Sequence, residues 1–337
     1  MSPVHAGDSP SPVIDGLVYF SDGDPAPLRD GGVTAANVTV THMFADVGAT
    51  LDGLGEWLRR VSAPDSGWRL VRVAADIELA RREGRTGLIM GWQNILPFGT
   101  SLARVAAFHA IGLRMAQLSY NEASAAGDGC LETRGGGLTR FGGALVAEMN
   151  RVGIGIDLSH CSERLGLEAA EASARPVFLT HANAKAVHDR PRNKRDETLR
   201  AVARTGGVIG VSIHGFMNWD GDPAHPPTLE GFVRHARHVA DLVGVDHVGI
   251  GTDFSAVRDE ASVQSILELS KGSYPETGGS YAAAFGNSSA ARYPRETPTP
   301  REFPRLLDAL ARGGFSASEV AQIAGGNLLR AFGVVWG

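Results

Sequence analysis

Short apolar runs and amphipathic stretches alternate along almost the whole chain. Val/Ile/Leu-rich runs bounded by Gly or Pro lie at 13–20, 35–40, 87–92, 115–120, 155–160, 177–181, 207–213 and 248–253, and each predicts a buried parallel strand. Helical patterns separate them at 50–61, 74–83, 101–111, 163–174, 196–204 and 229–243. A further helix introduced by Leu138-Thr139 carries Phe141, Leu145, Val146 and Met149 on one face. Roughly eight strand–helix repeats predict a (β/α)8 TIM barrel. A doubly wound sheet also alternates, but no GxGxxG word follows the first strand here. The reading is therefore one domain, 1–337, closed by two helices within 316–336. Residues 256–300 break the rhythm with Gly278-Gly279, Asn287-Ser288-Ser289 and Pro298-Thr299-Pro300. Such an excursion reads as a lid or subunit contact, or as a surface loop packed on the barrel.

Composition narrows the classes. Of 337 residues 43% are apolar and 20% charged, which suits a folded core rather than disorder. A net charge of −5 without a basic run argues against a nucleic-acid binder. The first residues lack a basic patch followed by an apolar stretch, and no segment is long and apolar enough to span a bilayer. A cytoplasmic protein with no membrane partner is the expectation. Cys130 and Cys161 are too few for a disulfide framework and form no CxxC pair.

Three of the apolar runs stop on residues able to bind a metal or move a proton: His160, His181 and Asp253. In a barrel the carboxyl ends of all strands face one mouth, so these three belong to one rim. A lone strand-end His is more often a hydrogen-bonded structural residue. Two in consecutive repeats, each following Ser or Thr, fit zinc, which favours imidazole nitrogen. Asp253 follows small residues, and a buried carboxylate there must be paired, ligating or catalytic. Beyond His181 the basic stretch Arg190-Pro191-Arg192-Asn193-Lys194-Arg195 offers an arginine fork for a carboxylate, against a solvated loop for Arg190, Lys194 and Arg195. Tyr120 ends another strand and offers a phenol or plain packing, and His214 is a weaker candidate. Cys161, without a partnering base, reads as a small buried residue.

The words Gly137-Leu138-Thr139-Arg140-Phe141-Gly142, Glu148-Met149-Asn150-Arg151-Val152-Gly153, Asp157-Leu158-Ser159-His160, Thr180-His181-Ala182-Asn183, Pro191-Arg192-Asn193 and Gly251-Thr252-Asp253-Phe254 occur in this order. Together they resemble the membrane dipeptidase (renal dipeptidase) family of metallopeptidases. That resemblance implies an amidohydrolase-type barrel, a homodimer, and hydrolysis of dipeptides with two bridged zinc ions. By position it implies His160 and His181 as ligands of one zinc, Asp253 as the acid that handles protons and Arg192 as the holder of the substrate carboxylate. Tyr120 falls at a substrate-facing position.

The departures are as informative. The family's first strand ends in an Asp-Gly-His-x-Asp word, whereas here Leu17 and Tyr19 follow Asp15-Gly16. Its bridging glutamate is replaced by Gln93 in Gly91-Trp92-Gln93-Asn94, which resembles the Gly-Phe-Gln-Asn word of a bacterial subgroup. Leucine cannot ligate, and a neutral amide cannot hold two dications together. The expectation is a hydrolase of a C–N (amide) bond in a small dipeptide-like or N-acyl amino-acid substrate, with one zinc ion or none. His160 and His181 are its metal ligands, with Gln93 or Asp253 as candidate additions; Asp253 and Tyr120 are catalytic; Arg192, Tyr120 and Gln93 contact substrate. The alternatives are a metal-independent lyase or isomerase on an amino-acid derivative, and a non-catalytic binding protein on the same scaffold.

Overall fold

The computed structural model describes residues 11–19, 23–218, 227–255 and 292–337. Among them lie ten strands: β1 (Ile14–Tyr19), β2 (Ala35–Thr39), β3 (Trp68–Leu70), β4 (Thr86–Trp92), β5 (Leu113–Gln117), β6 (Gly155–Asp157), β7 (Val177–Leu179), β8 (Val208–Val211), β9 (Val248–Ile250) and β10 (Phe254–Ser255). All pair in parallel, in the order β10-β1-β2-β4-β5-β6-β7-β8-β9, with β3 beside the start of β4. β9 and β10 are successive pieces of one chain path, and β10 pairs with β1 through Val18↔Phe254 and Tyr19↔Ser255. The sheet thereby closes on itself as the expected (β/α)8 barrel.

The helices sit where amphipathic patterns meet a capping residue. Asp46, Thr139, Ser162 and Thr228 accept hydrogen bonds from Ala49, Gly142, Leu165 and Gly231 and start the helices Val47–Ser62, Arg140–Val152, Glu163–Ala172 and Leu229–Val243. Two apolar layers result. The larger lies between strands and helices and includes Val38, Met90, Leu145, Ile156 and Val239. The smaller joins Ile14, Ala35, Ile89, Met115, Phe178 and Val208 to Leu328, Ala331 and Phe332 of the closing helix Asn327–Trp336. Its residues come largely from the amino-terminal parts of the strands, so that helix plugs the bottom of the barrel and leaves the carboxyl ends for chemistry.

Strands are shorter than the apolar runs suggest, for a physical reason. β6 ends at Asp157 and β7 at Leu179 because the Asp157 side chain captures the amides of Ser159 and Thr180. The run to Asp253 breaks after Ile250, since Asp253 takes a left-handed backbone (φ 57). The three-residue β3 and the helix Pro304–Arg312 are additions that the apolar pattern did not announce. Of the excursion expected at 256–300, residues 256–291 lie outside the described residues; Arg292 and Tyr293 return beside β8 and β10.

The interior is narrowest around the Thr180 carbonyl. A Cβ added at Gly251 would lie 1.8 Å from that oxygen, and one at Gly210 2.1 Å. Only glycine fits at either place. Gly251→Ala is expected to destabilise the fold by about 2 kcal/mol or more, the scale of overpacking a tight interior. A denaturant titration giving a wild-type midpoint would contradict this packing.

Candidate active site

One buried carboxylate organises the ends of β6 and β7. Asp157 accepts from Ser159 N (3.0 Å), Ser159 Oγ (2.6 Å), Thr180 N (3.1 Å) and Thr180 Oγ1 (2.6 Å). His160 and His181 follow directly, and their tautomers are set by hydrogen bonding. His160 Nδ1 lies 2.7 Å from Asn121 Oδ1, an oxygen that only accepts, so Nδ1 carries the proton. Thr180 spends its hydroxyl proton on Asp157, so its oxygen accepts from His181 Nδ1 at 2.8 Å. Both Nε2 atoms are then bare, and they face each other at 3.0 Å.

Two opposed lone pairs in a buried site repel. A proton is a poor remedy, because burial, reinforced by the nearby Arg192 guanidinium, holds both imidazoles well below the usual histidine range. A metal cation held by both nitrogens would resolve the conflict, and the outer hydrogen bonds are those that orient imidazole ligands. The pair therefore fits one ion as two of its ligands. Among the described residues no group of three or more His, Cys, Asp or Glu side chains is placed to hold an ion, so the pair has no third ligand of those types.

The positions of the missing ligands do not fit a second ion. Leu17 is buried hydrocarbon, and Tyr19 is a half-buried phenol that burial keeps protonated. Gln93 donates to Thr39 Oγ1 at 3.0 Å. Tyr19 and Thr39 line a cavity of about 280 Å³ with His42 and Trp57. A larger hollow, about 650 Å³, lies on the outside between the helices Leu229–Val243 and Pro304–Arg312 and contains none of these residues.

Tyr120 stacks on His160, centroids 4.3 Å apart and 28° between planes, with Phe44 edge-on behind it. Its neighbour Asn121 is left-handed (φ 57), which turns that amide onto His160. Arg192 is buried, its guanidinium donating to the carbonyls of Ser159 and, at 3.2 Å, of His181. Two of its five N–H groups are thus committed behind the histidines, which leaves others for a ligand. Lys194 departs from the solvated-loop alternative: it is buried, with Nζ on the Cys161 carbonyl, because the loop folds back against the end of β6. Arg195 is exposed, and Cys161 is buried as expected.

Asp253 stands half-buried after β9, its backbone N–H on Leu17 O (3.0 Å) and its C=O on the Tyr293 hydroxyl (2.7 Å). Burial pushes its carboxyl up to about 6, against the pull of Arg292 and Arg192. His214 ends the β8 loop, edge-on to Tyr293 at 5.3 Å. Asn121, Thr180, Asp157 and Tyr293 were not singled out as site residues. Asp157 and Thr180 stood inside the two histidine words; Asn121 and Tyr293 had no local signal.

Comparison with known proteins gives the family and the fold. The family model for membrane dipeptidase (peptidase family M19) matches residues 24–269. Dipeptidase verJ of Clonostachys rogersoniana is 32% identical over 263 residues, covering 77% of this chain and 58% of that protein. Dipeptidase tcpJ of Claviceps purpurea is 28% identical over 261 residues, covering 76% and 53%. The chain thus spans little more than half the length of these relatives. An amidohydrolase from Pseudomonas aeruginosa superposes with a TM-score of 0.87 at 31% identity, over 100% of this chain and 99% of that one. A metallopeptidase from Rhodobacter sphaeroides, solved with a phosphinate mimic of L-Ala-D-Ala, shares the fold (TM-score 0.78, 21% identity, 97% and 99% covered). Fold and histidine pair define a barrel of the amidohydrolase type. Within that class, the chain belongs to the membrane dipeptidase family.

Thr180→Val keeps the shape and removes the acceptor for His181 Nδ1. Affinity for Zn²⁺ or Co²⁺, measured by competition with a chromophoric chelator, is expected to fall about 10- to 100-fold. Wild-type affinity would show that this hydroxyl does not orient the ring.

Proposed function

We propose that the protein hydrolyses the amide bond of a small dipeptide-like or N-acyl amino-acid substrate carrying a free carboxylate. The observation that carries this reading is the pair of facing Nε2 lone pairs on His160 and His181, in a chain of the dipeptidase family. Imidazole nitrogen suits zinc, and the reading takes at most one ion per chain. When bound, it would polarise the scissile carbonyl and acidify a water molecule.

The chain's own residues do the rest. Asp253 takes the proton of the attacking water on its carboxylate and returns it to the leaving nitrogen as the C–N bond breaks; a group with a pKa of about 6 is ionised at neutral pH yet still basic enough to accept it. Arg192 orients the substrate carboxylate with the N–H groups not held by Ser159 and His181. Tyr120 covers one face of His160 and limits water on that side. Gln93 and Tyr19, beside the 280 Å³ cavity, contact the remainder of the substrate with neutral hydrogen-bonding groups. A homodimer in the cytoplasm completes the proposed reading.

The first test is metal content. Protein purified without added zinc is expected to carry up to one ion per chain, and a His160→Ala, His181→Ala double variant none. Full activity in chelator from metal-free protein would move the reading to metal-independent acid–base chemistry. Dipeptides with an L- or a D-residue at the C-terminus are the substrates to screen, the solved relative's L-Ala-D-Ala mimic supporting the second kind.

Asp253 supplies two further expectations. Asp253→Asn should lower kcat by about 10²-fold or more, the usual weight of a general base. A base works when deprotonated, so kcat/KM should rise with pH and reach half its plateau near pH 6. A flat profile between pH 5 and 7 would remove Asp253 from that role.

A further inference from the structure

We propose that Tyr293 is a positioning residue whose hydroxyl clamps Asp253 in its left-handed backbone conformation, and with it the direction of the Asp253 carboxylate. The catalytic consequence rests on Asp253 being the general base; the clamp itself does not.

Asp253 and Asn121 are the two non-glycine residues with positive φ among the described residues, both at 57°. That conformation costs free energy for a side chain with a Cβ and persists only where the surroundings hold it. The amide of Asp253 is held by a main-chain group, Leu17 O at 3.0 Å. Its carbonyl is held by a side chain, the Tyr293 hydroxyl at 2.7 Å. The Tyr293 hydroxyl oxygen in turn accepts from Ser255 N at 3.0 Å and from Arg292 Nε at 3.4 Å. One phenol therefore bridges the residues on either side of Phe254, at the break where β9 gives way to β10 and the barrel closes on β1.

The ring is fixed as firmly as the hydroxyl. Tyr293 is buried, 5.1 Å from Phe254 and 5.3 Å edge-on to His214, and the carbonyl of Arg292 accepts from Gly215 N at 2.8 Å. Burial raises the phenol above its usual range, so it stays a donor to the Asp253 carbonyl. Without that donor the Asp253 peptide is free to rotate out of the left-handed region, while β10 remains paired to β1 through Phe254 and Ser255. The carboxylate then points elsewhere and substrate binding through Arg192 is untouched.

Tyr293→Phe tests this, because it keeps the ring contacts and removes only the hydroxyl. In a crystal structure of that variant Asp253 is expected to leave positive φ. With a substrate in hand, kcat is expected to fall about 10- to 100-fold, the scale of a 1 Å misplacement of a reacting group, with KM within about twofold. The Asp253→Asn, Tyr293→Phe double variant should be no slower than Asp253→Asn alone, as for two changes acting through one group. Asp253 still near φ 57 in the variant, a raised KM at unchanged kcat, or additive losses in the double variant would each overturn the proposal. So would failure of Tyr293→Phe to fold, which would make the hydroxyl a global stability element. Wild-type turnover by Asp253→Asn would refute the base assignment instead, and the φ readout would still decide the clamp.

Discussion

The site depends on a single buried carboxylate shared by two strand ends. Asp157 draws the main-chain and hydroxyl donors of Ser159 and Thr180 onto itself, which stops both strands and turns the chain upward. Because Thr180 gives its proton to Asp157, it has only a lone pair for His181, and the proton on that ring is forced to Nδ1. Asn121 imposes the same tautomer on His160 from the loop after β5. Two imidazole nitrogens with lone pairs thus face each other at 3.0 Å, the arrangement on which the proposed metal binding rests.

A second constraint lies across the barrel. The Thr180 carbonyl projects so far inward that Gly210 and Gly251 cannot carry side chains, which brings β7, β8 and β9 into close approach beneath the histidines. Just above Gly251 the chain kinks at Asp253 before it rejoins β1. Closure of the barrel and placement of the proposed base are therefore one event. The kink is held from Leu17 and from Tyr293, which returns after the long excursion.

Leu17, Tyr19 and Gln93 carry no charge, so these three positions add no anion to the site. Arg192 and Lys194 are both buried behind the histidines with carbonyl partners, and Arg292 acts on Asp253 from the rim. The proposed preference for a substrate with a free carboxylate rests on these cations.

What the chain order by itself determined was the alternation of buried runs and amphipathic helices, hence the barrel, and which runs end in His160, His181 and Asp253. Those are properties of neighbouring residues, where periodicity and capping act over a few positions. Arg192 also stood out, through a word rather than a period. Tertiary structure alone decided the tautomers, the burial of Lys194 and the clamp on Asp253. Asn121 and His160 are 39 residues apart, and Tyr293 and Asp253 are 40 apart. No local pattern marks either partner, because a hydrogen bond across the barrel depends on the direction of two strand ends in space, and that direction exists only once the sheet has closed.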